Sequence, residues 1–397
     1  MIPEDGMKVE PIEDRDVGLL IKMAQELIRI PTQNPPGNEK GCAEFIYKTL
    51  TGWGVGAEMV FEPYPHRPQV VAMVSGREPG RALILNGHMD VVPEGSPSRW
   101  EDDPYGGTIN AGRIYGRGSS DMKGALAVMM VLAKLLYERG FPRGKVMFQF
   151  AIGEETGEPG TKALLMKRGV KGDYGIVLEP TSLRVATAEK GLAWFRVTLV
   201  GRPAHASIAE KGINPIEKFL KLGVRFLEYD MKLRTHLHPL LGSRKCTMTM
   251  INAGTKENVV PESCTLVLDR RFNPEETPED AEREIRGILN QLVSGDPDFK
   301  YQLERIMVYE PAEIPIDSFL ATVLRKYAAQ ISGVSTEPFG MLASTDVRNF
   351  INDAGIPAVN FGPGDLRDPH TFNESIEIRQ MVDCIKILFS AIMELLG

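Results

Sequence analysis

Residues 82–90 read Ala-Leu-Ile-Leu-Asn-Gly-His-Met-Asp, a short apolar strand that runs directly into a histidine and an aspartate. Three more apolar runs, 146–152, 175–178 and 358–361, are bounded by glycine, proline or charged residues, as buried parallel strands are. Helices that could cover such a sheet are expected at 16–30, 122–139, 319–332 and 376–396. The sequence therefore predicts a layered α/β domain with a mostly parallel central sheet flanked by helices.

The middle of the chain has a different pattern. Strands are expected at 192–200, 245–251, 264–270 and 299–306, and helices should begin at Asn214-Pro215 and Thr277-Pro278, where an N-cap residue precedes proline. The resulting order β-α-β-β-α-β is ferredoxin-like. We therefore expect a small α+β domain, residues 189–308, inserted into a larger domain formed by 1–188 and 309–397.

Composition narrows the classes of protein. A chain of 397 residues with 43% hydrophobic residues is long enough for two domains. The net charge of −7, with no basic block, argues against a nucleic-acid partner. The sequence contains no uninterrupted apolar run of about 18 residues, which argues against a membrane span. The N-terminus has no apolar signal-peptide region, and the four cysteines are widely spaced. We expect a cytoplasmic protein with reduced thiols.

Acidic residues and histidines follow the predicted strands. In open α/β sheets, sites gather beyond the carboxyl ends of the strands. The side chains expected to meet there are His88, Glu154, Glu155, Glu179 and His370. Asp121, which directly precedes the helix expected at 122–139, should join them.

Each of these residues taken alone has an ordinary explanation. A single histidine after a strand is more often a satisfied loop residue, a Glu-Glu pair can be solvated, and an aspartate before a helix is commonly an N-cap. Together, however, the carboxylates would repel one another and distort their pKa values, a conflict that divalent cations remove. Two metal ions that share one carboxylate fit the set His88, Asp121, Glu155, Glu179 and His370. A His/carboxylate shell without cysteine suits Zn²⁺, Mn²⁺ or Co²⁺ in a catalytic site.

Asp90 and the paired glutamates suggest further roles. Asp90, two residues after His88, should face the same side and accept the second imidazole N–H, which would fix the tautomer. One of Glu154 and Glu155 should coordinate a metal, and the other should act as base on a metal-bound water.

At these residues the chain resembles the zinc amidohydrolase family of acetylornithine deacetylase, succinyl-diaminopimelate desuccinylase, aminoacylase and carboxypeptidase G. The motifs that carry the resemblance are Gly-His-Met-Asp (87–90), Gly-Arg-Gly-Ser-Ser-Asp-Met-Lys-Gly (116–124), Glu-Glu (154–155), Leu-Glu-Pro-Thr (178–181) and His-Thr-Phe-Asn-Glu (370–374). The resemblance implies a zinc-peptidase-like catalytic domain with two divalent ions per subunit, zinc first and Co²⁺ or Mn²⁺ as alternatives. It implies that Asp121 bridges the ions, with His88 and Glu179 on one and Glu155 and His370 on the other. Glu154 would be the base and Asp90 the partner of His88.

The inserted domain resembles the family's lid, which forms a homodimer interface. The resemblance implies that His205 reaches the partner subunit's site and stabilises an oxyanion there. Asn258 and Arg271 match lid residues that meet substrate, and Arg271 could bind a carboxylate bidentately. Ser344-Thr345-Asp346 resembles a substrate-contacting loop of the desuccinylase branch, and Ser344 and Thr345 would contact the substrate. The ordinary alternatives are a turn histidine for His205 and a strand-end arginine on a solvated face for Arg271.

The resulting expectation is hydrolysis of the amide bond of an N-acyl amino acid or small peptide by a metal-bound water that Glu154 activates. One rival is a di-, amino- or carboxypeptidase on the same scaffold. Another is a non-catalytic binding protein, against which the presence of Glu154 beside every proposed ligand counts.

Overall fold

The fold was derived from a computed structural model that describes residues 12–167 and 170–397. The N-terminal residues 1–11, which carry most of the stretch from which we predict the absence of a signal peptide, lie outside this part. Among the described residues, no helix combines the length and apolar character needed to cross a membrane.

Helices and strands alternate along most of the chain. The helices are α1 Asp14–Ile28, α2 Lys40–Gly52, α3 Gly124–Arg139, α4 Gly160–Met166, α5 Pro215–Leu233, α6 Pro278–Gly295, α7 Phe319–Ser332 and α8 Ile378–Leu396. The strands are β1 Gly56–Val60, β2 Gln69–Ser75, β3 Glu78–His88, β4 Thr108–Asn110, β5 Arg113–Tyr115, β6 Arg143–Ala151, β7 Tyr174–Val177, β8 Ala186–Glu189, β9 Gly191–Val200, β10 Ala204–His205, β11 Leu237–His238, β12 Gly242–Ser243, β13 Lys245–Ala253, β14 Val259–Val260, β15 Ser263–Phe272, β16 Lys300–Tyr309, β17 Ala312–Glu313, β18 Phe339–Met341, β19 Ala358–Asn360 and β20 Ser375–Glu377.

The chain forms two compact units. The first comprises Met1–Thr187, Ile314–Gly340 and Thr345–Gly397, and the second comprises Ala188–Glu313 with Met341–Ser344. The inserted domain expected at 189–308 is thus a few residues shorter than the observed second unit. The short segment Met341–Ser344, which the sequence assigns to the larger domain, belongs to the second unit.

The central sheet of the first unit is mixed. Its strand order is β1-β2-β6-β3-β7-β19-β8. The four inner strands β6, β3, β7 and β19 are mutually parallel, whereas β1, β2 and β8 pair antiparallel to their neighbours. The α/β class is confirmed, but the expected mostly parallel sheet is correct only for the inner strands. Apolar runs reveal a buried strand without revealing the direction of its neighbour.

Helices cover the sheet with an apolar layer. Twelve of the sixteen residues of α3 are buried, and the helix packs against α1 and α8. This surrounding layer explains why α3 is apolar on nearly every face. The helix ends at Arg139, and Gly140 follows it as the C-cap residue with a positive φ of 71°. The helix begins at Gly124 rather than Met122, because Asp121 and Met122 have non-helical backbone angles.

The second unit has the ferredoxin-like pattern expected from the sequence. Its four-stranded antiparallel sheet has the order β13-β15-β9-β16, with α5 and α6 packed against it. The side chain of Asn214 caps α5 by accepting the Ile216 N–H, and Thr277 caps α6 in a reciprocal capping box with Asp280. Local capping signals thus predicted both helix starts.

Candidate metal centre and active site

The four inner strands of the central sheet end side by side. β3 ends at His88, β6 leads into Glu154 and Glu155, and β7 leads into Glu179. Parallel neighbours have their carboxyl ends at one edge of a sheet, so these side chains converge there. β19 leads into the loop that carries His370.

Gly362, just after β19, allows this loop to approach the chain beside Glu179. A Cβ atom at Gly362 would lie 2.3 Å from the carbonyl oxygen of Leu178 and 2.6 Å from that of Glu179. Only glycine can occupy this position without displacing the backbone that carries Glu179.

The donor atoms form two groups that share Asp121. In the first group, His88 Nε2 lies 3.0 Å from Asp121 Oδ1 and 3.8 Å from Glu179 Oε1. In the second, His370 Nε2 lies 3.1 Å from Glu155 Oε2 and 3.5 Å from Asp121 Oδ2. Within each group the donor atoms all lie within 4.8 Å of one another. The structure therefore brings together all five residues proposed as metal ligands.

The chemistry of these donors fits divalent cations. Within the part of the chain that the structure describes, Glu179 Oε1 is buried yet accepts no hydrogen bond. Burial, reinforced by the charge of Asp121, raises the pKa of Glu179 well above its usual range and also raises that of Glu155. A protein rarely buries carboxylates at such a cost unless a cation compensates them.

The raised pKa values of the two histidines also indicate a site that favours positive charge. Burial lowers the pKa of His88, but its hydrogen bond to Asp121 and the charges of Asp121 and Glu179 outweigh that effect and raise it well above its usual value. Hydrogen bonds to Asp121 and Glu155 raise the pKa of His370 to about 11. Because protons and metal ions compete for the same nitrogen atoms, a site that attracts protons in this way also attracts metal cations.

Glu154 lies beside both groups without belonging to either. Glu155 is oriented as a ligand, since its Oε1 accepts the Val92 N–H at 3.3 Å while Oε2 faces His370. The donor groups found among residues 12–167 and 170–397 do not include Glu154. Burial, with further contributions from Glu179 and other nearby acids, raises the pKa of Glu154 well above its usual range. A partly buried carboxyl with a raised pKa is suited to moving a proton.

Asp90 has a different contact from the one expected. The atom closest to His88 Nδ1 is the backbone carbonyl oxygen of Asp90, at 2.9 Å, while the Asp90 carboxylate is 3.7 Å away. The carboxylate instead accepts the backbone N–H groups of Gly153, Glu154 and Glu155. The strand β3 ends at His88, so the simple alternation used to place Asp90 does not apply there. Asp90 holds the loop that carries both glutamates.

Of the candidate residues in the second unit, His205 and Asn258 are neighbours, whereas Arg271 is paired with Asp269. His205 is exposed, and its Nδ1 accepts the Ser207 N–H at 3.2 Å. Its Nε2 lies 3.5 Å from the side-chain amide of Asn258. Arg271 forms a bidentate ion pair with Asp269, at 2.8 and 3.1 Å, so its guanidinium already has a carboxylate partner.

Ser344 and Thr345 are engaged in internal hydrogen bonds. The Ser344 hydroxyl donates to the carbonyl oxygen of Lys190 at 2.5 Å. The buried Thr345 hydroxyl donates to Asn360 at 3.0 Å. The expected substrate contact at these two residues remains a prediction.

Two buried acids, Asp346 and Glu374, lie in motifs that the sequence singles out, but the sequence predicts no role for their carboxylates. Asp346 accepts a hydrogen bond from Thr161 at 2.6 Å, and its charge contributes to the raised pKa values of Glu154 and Glu179. Glu374 is the last residue of the motif that contains His370, and it was assigned no role. Both acids lie next to residues already singled out, and that proximity was the available signal.

The sheet and these two donor groups define a metal-dependent hydrolase. A family model for peptidases of families M20, M25 and M40 matches residues 84–394, well over half of the chain. The chain therefore belongs to the M20/M25/M40 peptidase family, whose members hydrolyse amide bonds with the help of metal ions.

Relatives of several specificities resemble the whole chain. The N-formyl-4-amino-5-aminomethyl-2-methylpyrimidine deformylase of Halalkalibacterium halodurans is 29% identical over 411 residues, covering 96% of this chain and 95% of that protein. The M20 family metallo-carboxypeptidase of Sulfolobus solfataricus has a similar structure, with a TM-score of 0.80 at 20% identity over 96% of this chain and 99% of that one. A dinuclear metal-binding M20 peptidase of Bacillus subtilis has a TM-score of 0.70 at 16% identity over 97% and 99% of the two chains. At these identities the two solved structures establish the fold.

Proposed function

We propose that this protein is a deacylase that cleaves the amide bond of an N-acyl amino acid or small peptide, using two divalent ions bound by His88, Asp121, Glu155, Glu179 and His370. The observation that carries the proposal is the pair of donor groups joined by Asp121, with Glu154 beside them. Zinc is the preferred metal, with Co²⁺ or Mn²⁺ as alternatives, because the donors are imidazole and carboxylate without cysteine.

Each part of the reaction has a residue suited to it. Bound divalent ions would supply Lewis-acid polarisation of the substrate carbonyl and a lowered pKa for water. Glu154 accepts a proton from the attacking water and returns it to the leaving amine nitrogen, so that the C–N bond breaks as the new C–O bond is retained. Asp90 keeps the Glu154–Glu155 loop in place through its three backbone hydrogen bonds.

Deacylation is preferred to peptide cleavage because of the pattern of similarity. The deformylase relative removes an acyl group and is 29% identical along almost the whole chain. The metallo-carboxypeptidase shares the fold at lower identity, so a di- or carboxypeptidase is the second candidate. A non-catalytic binding protein would have no use for a base such as Glu154 beside the donor groups.

We also propose that the protein forms a homodimer through its second unit. Four residues at helical spacing on α5, Leu220, Val224, Leu227 and Met231, are each more than half exposed. α5 packs over β13, which is the edge strand of the sheet and exposes Met250 and Ile251. An apolar helix face beside an unpaired strand edge is a self-complementary surface that a second copy could cover.

His205 is proposed to act on the partner subunit's substrate. Because Nδ1 accepts the Ser207 N–H, the neutral ring carries its proton on Nε2, which can then donate to an oxyanion. Asn258, beside it, could hold the same substrate. Arg271 could bind a substrate carboxylate, though that group would have to compete with Asp269. A reducing cytoplasmic location is proposed from the four cysteines, which are all free and buried.

A substrate panel tests the proposed function. The metal-loaded protein is assayed with N-formyl, N-acetyl and N-succinyl amino acids and with di- and tripeptides, before and after chelation. We expect hydrolysis of an acyl amino acid, its loss on chelation, and its return with Zn²⁺, Co²⁺ or Mn²⁺. Preferred cleavage of peptides would favour the second candidate, and activity that survives exhaustive chelation would refute the metal-dependent mechanism.

A further inference from the structure

Glu374 is a buried carboxylate that binds the loop carrying Asp121. Its Oε2 accepts hydrogen bonds from Arg117 Nη1 at 2.6 Å and from the Gly118 N–H at 3.0 Å. Its Oε1 accepts the N–H groups of Ser120 and Asp121 at 2.9 and 3.0 Å. The side chain is almost completely buried, and each of its two carboxylate oxygens accepts two hydrogen bonds.

This loop needs an acceptor from elsewhere in the chain. Asp121, with φ −125° and ψ 90°, lies outside helical geometry, and Gly118 has a left-handed φ of 79°. N–H groups in such a segment cannot all be satisfied by a helix or a strand. Glu374 supplies the missing acceptor at three positions and so fixes the backbone from which the Asp121 carboxylate projects.

The same residue ends the loop that carries His370. Within that loop the Phe372 ring has the Arg99 guanidinium 4.0 Å from its centre and meets the Trp100 ring at 75° in a T-shaped contact. Arg117, the cationic partner of Glu374, lies 5.3 Å over the Trp100 ring. These contacts tie the His370 loop to the segment that Glu374 anchors. Glu374 therefore connects the backbones that present the two ligands Asp121 and His370.

We propose that Glu374 is a positioning residue for the second donor group, holding Asp121 and His370 at the separation that one metal ion requires. This inference rests on the proposed function, because it takes Asp121, Glu155 and His370 as metal ligands. The first group shares Asp121, but its other two donors, His88 and Glu179, follow strands β3 and β7 of the central sheet and so depend less on Glu374. Residues that orient metal ligands in this way typically change metal affinity or activity by about 10- to 100-fold when substituted.

The central experiment compares Glu374→Gln with Glu377→Gln. Glutamine has the same shape but turns an amide group toward N–H donors. Glu377 lies three residues further along and belongs to neither donor group, and its partly exposed carboxylate pairs with Arg113 at 3.0 Å. Zn²⁺ affinity of each site is measured by titration calorimetry, and Co²⁺ absorption reports coordination geometry. We expect Glu374→Gln to weaken one of two sites by about 10- to 100-fold and to alter the Co²⁺ spectrum, while Glu377→Gln changes neither.

Stability measured without metal separates positioning from a general structural role. If Glu374→Gln lowers the unfolding midpoint of the metal-free protein but leaves both affinities and the Co²⁺ spectrum unchanged, the proposal is overturned. Should Glu374→Gln fail to fold, Glu374→Asp decides, because it keeps the charge but shortens the reach. A weaker second site in that variant supports the proposal, and two unchanged sites refute it. If the unmodified protein itself binds no metal, the proposed function fails, and the inference fails with it for a separate reason.

Discussion

At the scale of single residues, the adjacent acids Glu154 and Glu155 differ in what they touch. Glu155 is held by the Val92 N–H and faces His370, whereas Glu154 lies outside both donor groups. The two acids share the short helical turn Glu154–Thr156 but have different surroundings, and this difference is the basis for proposing separate roles for them.

Substituting each glutamate in turn tests this division. Glu154→Gln should keep the metal content and lower turnover by about 10²-fold or more, because a general base is lost. Glu155→Gln should weaken the second metal site, because an amide oxygen is a poorer ligand than a carboxylate. Metal content by atomic absorption and turnover on the best substrate of the panel are measured together.

The two variants serve as controls for each other, since they make the same chemical change at neighbouring positions. Equal loss of metal in both would mean that base and ligand are wrongly assigned. Full turnover in Glu154→Gln would exclude it as the base.

At the scale of elements, a buried ion network supports the loop that carries these acids. Arg67 binds Glu39, at the start of α2, through hydrogen bonds of 2.8 and 2.5 Å, and Glu158, just after the Glu154–Glu155 loop, at 2.9 Å. Asn34 then links Glu158 to the Asp90 carboxylate, at 3.3 and 3.1 Å. The network thus leads from a helix start to the acid that holds the Glu154–Glu155 loop.

Replacing Arg67 should markedly lower the free energy of unfolding. In Arg67→Met, Glu39 and Glu158 lose their cation, and breaking a buried pair from one side typically costs about 3–5 kcal/mol. The control Lys162→Met removes an ion pair with Asp353 in which Lys162 is half exposed, which should cost about 0–1 kcal/mol. Urea unfolding of the metal-free proteins measures both. Equal effects of the two substitutions would show that the buried network contributes no more than a surface pair.

At the scale of the whole molecule, the proposed dimer makes activity depend on two chains. If His205 serves the partner's substrate, His205→Ala should lower turnover by about 10²- to 10³-fold, the usual cost of one oxyanion donor. Metal content and dimerisation should stay unchanged, because His205 is exposed and outside the donor groups. Sedimentation velocity checks the dimer, and Leu220→Lys with Leu227→Lys should produce monomers if α5 forms its interface.

Mixing two inactive variants provides the sharper test. In a heterodimer of His205→Ala with Glu154→Gln chains, one site has an intact Glu154 and receives an intact His205 from the other chain. Activity should therefore return as subunits exchange, which labelled chains can demonstrate. Exchange without any recovery of activity would show that His205 does not act across the interface.

Much of this protein could be predicted from local sequence. Apolar runs identified the inner strands, the pairs Asn214-Pro215 and Thr277-Pro278 predicted the starts of α5 and α6, and the acids and histidines beyond the strands indicated the donor groups. These signals are local because capping bonds and buried periodicity involve residues close in sequence. The short helix α4 was missed, since seven residues hold too little periodicity to reveal a helix.

Other features depended on the tertiary structure, because the residues involved are far apart in the chain. The mixed direction of the central sheet follows from β6 lying between β2 and β3, although β3 follows β2 in sequence. Asp90 was expected to orient His88 with its carboxylate, yet that group binds backbone N–H groups more than 60 residues away. Glu374 binds a loop more than 250 residues earlier. Sequence alone determined which residue types could bind a metal or move a proton. The buried carboxylates of Asp90 and Glu374, which hold the loops carrying those residues, find their partners only when folding brings distant backbone N–H groups together.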